Sequence, residues 1–211
     1  MTVATAPKQA RSQAKLDRLL LAGRELFASE GFDGTRIGDV AERAGCSVGA
    51  FYSRFADKDS FFLAVQEHFL TEVGTASAEL NTRASELGGV ELLRAHIAFG
   101  VRVVRPNAGL IRAIVQYGVN HPGAWNPLSD LVEARVRGVA EAIERSGLTI
   151  GHPDPSTAVA VGTHVIRGTL LHEALVGPGV FPLDDDALVD ELTDVFCAYL
   201  RVSDSGAAHR T

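Results

Sequence analysis

Two short helical segments separated by a glycine, within residues 35–55, constrain this chain more than any other feature. Thr35 offers a hydroxyl as N-cap for the first segment, and Gly45 stands at a corner too tight for a residue with a side chain. Ser47 supplies an N-cap for the second segment, which we expect to run from Val48 to Phe55. Two helices joined in this way are typical of a helix-turn-helix, whose second helix enters the major groove of DNA.

The rest of the chain also follows helical spacing. A first helix is expected from about Leu16 until Gly31 stops it, and a long one from about Ser60 through Leu80. Beyond that point Gly and Pro residues separate helices of about 14 to 24 residues, and no segment alternates with the period of a strand. The predicted fold is all-α with about nine helices: an N-terminal three-helix DNA-binding domain joined by a long helix to a C-terminal helical ligand-binding and dimerisation domain.

Charge and cysteine content narrow the function classes. The net charge of −6 excludes nucleic-acid binding through bulk positive charge, so any DNA contact must be local. The basic side chains gather near the N-terminus, since residues 1–60 hold nine Lys and Arg against eight acids. Two cysteines, Cys46 and Cys197, exclude a disulfide scaffold. With no signal-like N-terminus and no long apolar run, we expect a soluble cytoplasmic protein that avoids membranes.

These patterns divide the chain into four predicted segments. Residues 1–16 carry basic but no acidic side chains on an Ala, Gln and Ser background, which predicts a flexible basic arm. Residues 17–60 form the helix-turn-helix domain, residues 61–202 the ligand-binding and dimerisation domain, and residues 203–211 a flexible tail. The arm is placed to enter the minor groove of DNA.

A specific resemblance runs through about residues 14–65. Its parts are the stretches Leu26–Thr35, Asp39–Ser47 and Gly49–Phe55, followed by Lys58-Asp59. In this order and at these intervals, the sequence resembles the TetR family of bacterial transcriptional regulators. Past residue 70 the resemblance is one of architecture and length alone.

The predicted DNA contacts combine residue chemistry with that resemblance. Ser47 caps the second helix, whose N-terminal N–H groups and dipole favour a phosphate. Gly49 and Ala50 have almost no side chain, so the helix can sit deep in the groove. The resemblance implies phosphate contacts for Tyr52 and Lys58, and Arg54 departs from the residue usual in the family. The complete predicted set is Arg36, Ser47, Val48, Gly49, Ala50, Tyr52, Ser53, Arg54 and Lys58.

Later helices contain the mixed aromatic, apolar and polar side chains of a small-molecule pocket. The candidates are His96, Phe99, Arg112, Gln116, Tyr117, His121, Trp125, His164, Arg167 and His172, with Arg112 nominated for an anionic ligand. Two of these histidines, His164 and His172, stand eight residues apart without a third ligand at helical spacing, so we predict neither a metal site nor a cofactor. Satisfied core or interface histidines are the alternative interpretation.

A stripe of small residues and the apolar side of the last helix predict a dimer interface. Its predicted members are Ala158, Gly162, Val165, Thr169, Leu188, Leu192, Val195, Phe196 and Tyr199. The resemblance implies that these helices pair across a two-fold axis as a four-helix interface. Specific reading of DNA also favours two copies, because one short helix contacts few bases. The alternative is a purely intramolecular bundle.

The sequence thus predicts a homodimeric repressor that binds a palindromic operator and is released when a small molecule tilts the helix starting at Ser60. A corepressor-dependent regulator or an activator fits the same residues. An all-α carrier or enzyme is the competing class. No nucleophile, carboxylate pair or metal-ligand spacing in the sequence supports catalysis, so we predict that the protein is not an enzyme.

Overall fold

The computed structural model describes residues 6–84, 87–177 and 182–202. Its helices are α1 (Ala6–Gly34), α2 (Ile37–Arg43), α3 (Val48–Tyr52), α4 (Lys58–Ala84), α5 (Gly89–Val104), α6 (Ala108–Asn120), α7 (Asn126–Ser146), α8 (Pro155–Val176) and α9 (Asp185–Leu200). Short 3-10 turns at Arg105–Asn107 and Pro122–Trp125 flank α6. Within the described ranges the extended structure is one bridge between Ile150 and Val202, so the all-α prediction is confirmed.

The first helix is longer than the sequence pattern predicts. α1 begins at Ala6, so residues 6–16 of the predicted arm are helical, and residues 1–5 lie outside the described part. Ala, Gln, Lys and Arg all favour helix, which explains why an existing helix extends backwards although residues 10–15 stay exposed. The predicted tail at residues 203–211 also lies outside the described residues.

The end of α1 corrects one predicted cap. Gly31 adopts a positive φ of 70°, as expected for a residue that interrupts the helix. Thr35, however, is buried and donates its hydroxyl hydrogen to the carbonyl of Gly31 at 2.7 Å. Arg36 takes the N-cap position of α2 without a side-chain cap bond. The Thr35 hydroxyl therefore closes the turn behind it instead of capping the helix ahead of it.

The long helix α4 starts from a reciprocal cap. The backbone N–H of Ser60 donates to the Asp57 carboxylate at 2.7 Å, and the N–H of Asp57 donates to the Ser60 hydroxyl at 3.2 Å. The bond from the Ser60 backbone holds the pKa of Asp57 below its ordinary value. This cap moves the helix start to Lys58 and accounts for the difference from the predicted start at Ser60.

The described chain divides into two compact units. The first contains the residues up to Thr71 together with Gly109–Trp125, and the second contains Glu72–Ala108 with the described residues from Asn126 onward. The predicted boundary near residue 60 differs from this division because most of α6 packs with the N-terminal helices. The Tyr117 ring lies 4.7 Å from Phe32 and 4.6 Å from Phe62 between centroids.

The core of the first unit is aromatic. Phe27, Phe51, Phe61 and Phe62 are completely buried. Neighbouring rings meet edge to face, with centroids 4.8 Å apart for Phe27 and Phe62 and 5.0 Å apart for Phe51 and Phe61. Such ring pairs add about 0.5–1.5 kcal/mol each beyond the burial of their area. They fix the position of α3 against α1 and α4.

The core of the second unit corrects part of the predicted dimer interface. Ala158, Leu188, Leu192 and Phe196 belong to a buried cluster that also takes in α5 and α7. Gly162 is buried beneath the Phe196 ring, since a Cβ there would stand 2.2 Å from Cε2. These five residues join α8 to α9 within one chain. Small residues allow close helix packing, but the partner helix is intramolecular here.

The remaining predicted interface residues lie outside this cluster. Val165, Val195 and Tyr199 are exposed by 52%, 54% and 38%, and Thr169 is half-buried.

Near the C-terminal end of α8, the Arg105 guanidinium pairs with the carboxylates of Glu173 at 2.7 Å and Asp185 at 2.6 Å. This network ties the turn after α5 to the end of α8 and the start of α9.

No helix of the described chain is long and apolar enough to cross a membrane. The same residues contain no group of three or more His, Cys, Asp or Glu side chains arranged to hold a metal ion.

Candidate nucleic-acid interface

The turn between α2 and α3 is built on Gly45. This residue has a φ of 64°. Its N–H donates to the carbonyl of Glu42 at 3.0 Å, and the N–H of Cys46 donates to the carbonyl of Ala41 at 2.9 Å. Together these bonds form a Schellman motif, in which glycine tolerates the positive φ that ends a helix. The predicted role of Gly45 is confirmed.

Ser47 caps α3 as predicted. Its hydroxyl oxygen accepts a hydrogen bond from the N–H of Ala50 at 3.1 Å. The α-helix ends at Tyr52, three residues before the predicted end, although the N–H of Phe55 still donates to the carbonyl of Phe51 at 3.1 Å. Because α3 has only five residues, its orientation depends on this cap and on the buried Phe51 ring.

The cap supports a stability prediction. Replacing Ser47 by alanine is expected to lower the free energy of unfolding by about 1 kcal/mol, because one N–H at the start of α3 loses its acceptor. Urea denaturation of the purified protein measures this difference. Ser53→Ala is the matched control, because its exposed hydroxyl only donates to the Ala50 carbonyl. Equal effects of the two substitutions would contradict the assigned role of the cap.

The opposite side of α3 is open. Val48 and Tyr52 are exposed by 44% and 53%, and Ser53 is also exposed. The nearest atom to a Cβ built on Gly49 is the Ser47 hydroxyl oxygen, 3.9 Å away. Arg36 stands exposed at the start of α2. This face therefore combines little side-chain bulk with exposed polar and apolar atoms, as a helix lying in the major groove requires.

Two predicted contacts have partners inside the chain. The Arg54 guanidinium donates to the carbonyl of Ser12 at 3.0 Å and to its hydroxyl at 2.6 Å. The Lys58 ammonium lies 4.5 Å from the centroid of the Phe32 ring. It donates to the carbonyls of Phe32, Asp33 and Thr35 at 2.8, 3.3 and 3.1 Å. The three ammonium hydrogens are thereby used on the α1–α2 turn, so the primary role of Lys58 in this structure is to hold that turn.

The bond between Arg54 and Ser12 was not among the contacts predicted from the sequence. It joins the end of α3 to the helical extension of α1, whose exposed basic residues include Arg11 and Lys15. The departure of Arg54 from the usual family residue was the available signal, but a partner 42 residues away leaves no local pattern.

Half of the predicted ligand-binding residues lie in the first unit: Arg112, Gln116, Tyr117, His121 and Trp125. Tyr117 is a core residue there and donates its hydroxyl hydrogen to the Asp59 carboxylate at 2.9 Å. Burial, with this bond, raises the pKa of Tyr117 to about 12. The His121 ring stacks on Tyr117 at 3.9 Å, and the Trp125 ring covers Gly118. Tyr117 is thus occupied by contacts within the unit.

The other half lie in the second unit: His96, Phe99, His164, Arg167 and His172. The three on α8 are exposed. His96 and Phe99 are buried on α5. The Arg135 guanidinium of α7 lies 4.6 Å from the Phe99 ring centroid, and the charge of Arg135 contributes to lowering the pKa of His96. Arg135 was missed, although it shares the side of α7 that carries the buried Gly138 and Ala142.

Comparison with known proteins agrees with this geometry. Residues 19–65 match the family described as bacterial regulatory proteins, tetR family. The HTH-type transcriptional repressor AcnR of Corynebacterium efficiens is 32% identical over 94 residues, which cover 44% of this chain and 45% of that protein. The matches to curated relatives span 25% to 45% of those proteins' own lengths.

Solved structures extend the likeness beyond the N-terminal unit. A protein from Mesorhizobium loti assigned to the TetR family superposes with a TM-score of 0.72 at 23% identity, covering 89% of this chain and 97% of that one. The regulator FadR of Bacillus subtilis, solved in complex with stearoyl-CoA, gives a TM-score of 0.63 at 16% identity, with coverages of 86% and 97%. At these identities the likeness establishes the fold. The helix-turn-helix segment at residues 19–65 thus matches the tetR family of bacterial regulatory proteins, and the rest of the chain shares the fold of solved members of that family.

Proposed function

We propose that the protein is a homodimeric transcriptional repressor that binds a palindromic operator through α3 and leaves it when a small molecule binds. The open face of α3 carries this proposal. That face has a glycine with no close neighbour, on a helix fixed by the Ser47 cap and the buried Phe51. A rigid, thin helix with an exposed N-terminus suits entry into the major groove.

The proposed contacts divide into two kinds. Tyr52, Ser47 and the start of α3 are assigned to phosphates, which position the protein without reading sequence. Val48, Gly49, Ala50, Ser53 and Arg36 are assigned to the groove, where apolar atoms meet thymine methyl groups and Arg36 reaches base edges or the backbone. Arg54 acts on the basic extension of α1 through Ser12. Lys58 contacts phosphate only if its ammonium group breaks hydrogen bonds to the carbonyls of the α1–α2 turn.

A dimer supplies the second recognition helix. The apolar residues exposed on α8 and α9 are candidates for its interface: Val161, Val165, Val195 and Tyr199, exposed by 42%, 52%, 54% and 38%. Each is large and apolar on a helix whose opposite side belongs to the core. Burying such residues against a second copy removes their apolar area from water, at about 25 cal/mol per Å².

This surface gives a prediction about assembly. Val195→Asp is expected to convert a dimer into a monomer at micromolar concentration, because the new carboxylate would have to be buried without a partner. Sedimentation equilibrium measures the mass. Val119→Asp is the control, since Val119 on α6 is exposed by 71% and lies outside the proposed interface. A dimer that persists in Val195→Asp would contradict the assignment of this face.

The repressor role and the ligand response rest on different support. AcnR, which the chain resembles, is named a repressor, and FadR was solved with stearoyl-CoA. In this chain α4 contributes its beginning to the first unit and its end to the second. We propose that an effector held in the second unit changes the course of α4. A coupling of about 1–3 kcal/mol changes operator occupancy 5- to 150-fold.

Selection from random duplexes tests the DNA-binding proposal. The full chain, free of ligand, is incubated with a library of randomised duplexes at several salt concentrations, and the retained molecules are sequenced. We expect enrichment of one palindrome that persists as salt weakens backbone binding. Enrichment of nothing, or loss of all binding with salt, would contradict the proposal.

A further inference from the structure

Three helices of the second unit meet around one charged side chain. The residues of α4 are Gly74, Ser77 and Asn81. The residues of α7 are Leu131, Arg135 and Gly138. A Cβ on Gly74 would contact Leu131 at 3.6 Å, and a Cβ on Gly138 would lie 2.2 Å from the Asn81 amide nitrogen. Between these contacts the Arg135 guanidinium donates to the Ser77 hydroxyl at 3.3 Å. On α5, the Phe99 ring packs against Arg135. His96, also on α5, lies close enough that the charge of Arg135 adds to the effect of burial in lowering the pKa of His96.

The guanidinium of Arg135 has no carboxylate partner among the residues that the structure describes. Its polar contact is the long bond to Ser77, and its other contact is the face of the Phe99 ring, 4.6 Å away. A guanidinium has five N–H donors, so most of its donors are left for another acceptor. Burial lowers the pKa of Arg135 to about 10, and the group stays charged at neutral pH.

The second independent feature is His96. His96 is exposed by only 6%, and its Nε2 is buried without a hydrogen-bond partner. Burial, and then the charge of Arg135, lowers the pKa of His96 to about 4, so the ring is neutral at pH 7. A buried polar atom left unpaired is costly, and most buried polar atoms in folded proteins have a protein group or an ordered water as partner. An unpaired Nε2 is therefore available to a bound molecule.

We propose that Ser77, His96 and Arg135 form the site for the acidic group of the effector, a small molecule with a single carboxylate and an apolar body. One positive charge beside a neutral ring balances one negative charge, whereas a phosphate monoester brings up to two. The planar guanidinium also matches a carboxylate with two parallel hydrogen bonds. The Phe99 ring provides apolar surface beside the charge. This inference rests on the proposed function, because it names the class of effector.

Calorimetric titration of the full chain tests the proposal. The probes are octanoate and benzoate, with octanamide and benzamide as uncharged counterparts and octyl phosphate as the dianionic one. We expect at least one acid to bind, its amide and octyl phosphate to bind more weakly, and Arg135→Gln to reduce acid binding about 10- to 150-fold, as loss of a hydrogen bond to a charged group implies. Arg137→Gln is the matched control, since Arg137 is exposed on the same helix.

A second variant separates a binding role from a structural one. Arg135→Met keeps the apolar stem and removes an unpaired charge, so the ligand-free protein is expected to keep or raise its Tm while it loses acid binding. A large fall in Tm together with weak binding would assign Arg135 to the fold and overturn the proposal. Acid binding that survives in Arg135→Gln, an amide or phosphate that binds as tightly as the acid, or no acid bound at millimolar concentration would overturn it too.

Duplex selection on the same protein distinguishes the two levels of inference. If wild-type protein selects a palindrome but binds neither acid, the result supports the proposed function and contradicts the carboxylate site. If it binds an acid through Arg135 but selects no DNA, the result contradicts the proposed function and supports the carboxylate site.

Discussion

Replacing Gly49 by glutamate is expected to lower the affinity for the selected duplex at least 100-fold while the Tm stays within about 2 °C of wild type. Gly49 lies on the open face of α3, where a Cβ would stand 3.9 Å from the Ser47 hydroxyl oxygen, its nearest neighbour outside the adjoining helix backbone. The fold therefore accepts the new side chain. In the complex, the same carboxylate would enter a groove lined by phosphates, where like charges cost several kcal/mol. A 100-fold loss corresponds to about 2.7 kcal/mol.

Fluorescence anisotropy with a labelled duplex measures this loss. Gly49→Ser adds a small neutral side chain and is expected to weaken binding far less. Val119→Glu adds the same charge at a position exposed by 71% on α6 and controls for net charge. If Gly49→Glu binds the duplex as wild type does, α3 does not face DNA.

Replacing Gly109 by alanine is expected to lower the free energy of unfolding by about 2–3 kcal/mol, or the Tm by about 4–12 °C. Gly109 lies near the start of α6, where its backbone approaches α1. A Cβ at this position would stand 2.2 Å from the carbonyl oxygen of Ala28. The obstructing atom belongs to the backbone of a helix, so it cannot move aside as the end of a side chain would.

Gly38 also lies in a helix, but replacing it by alanine is expected to have the opposite effect on the free energy of unfolding. Apart from its chain neighbours and the backbone of its own helix, no described atom lies within 4 Å of a Cβ built there, so Gly38→Ala should leave stability unchanged or raise it by up to about 1 kcal/mol. Urea denaturation compares both variants with wild type. Equal stability of Gly109→Ala and wild type would show that α6 does not approach α1 as described, and would remove the reason for grouping it with the first unit.

The helix-turn-helix was predictable because its determinants are local. A positive φ at Gly45 and a cap at Ser47 each depend on residues within a few positions, and both predictions are confirmed. Thr35 failed as a predicted cap because its hydroxyl had two possible partners at similar distance along the chain. In the structure the Thr35 hydroxyl donates to the carbonyl oxygen of Gly31, four residues earlier.

The small-residue stripe on α8 shows a different limit. Ala158 and Gly162 indicate that another helix packs closely, and α9 of the same chain does so through Phe196. Sequence spacing describes one helix surface and carries no information about whether its partner is in the same chain or in another copy. The candidates for a dimer interface are therefore the residues that remain exposed, such as Val165 and Val195.

The polar group at Arg135 was missed for a related reason. Its partners lie on α4 and α5, 58 and 36 to 39 positions earlier in the chain, and an arginine on α7 has the same local pattern whether it meets water or Phe99. The nomination of Arg112 for an anionic ligand followed composition alone. Tertiary contacts favour Arg135, because burial beside an unpartnered ring nitrogen distinguishes it from the exposed Arg137.

Hydroxyl-radical footprinting of the ligand-free protein on its selected duplex tests the central claim most directly. We expect two protected half-sites related by symmetry, with centres about one helical turn, or 34–36 Å, apart. Each half-site should lose protection in Gly49→Glu. Uniform weak protection along the duplex, or a single protected region without a symmetric partner, would contradict a dimer that reads DNA through α3.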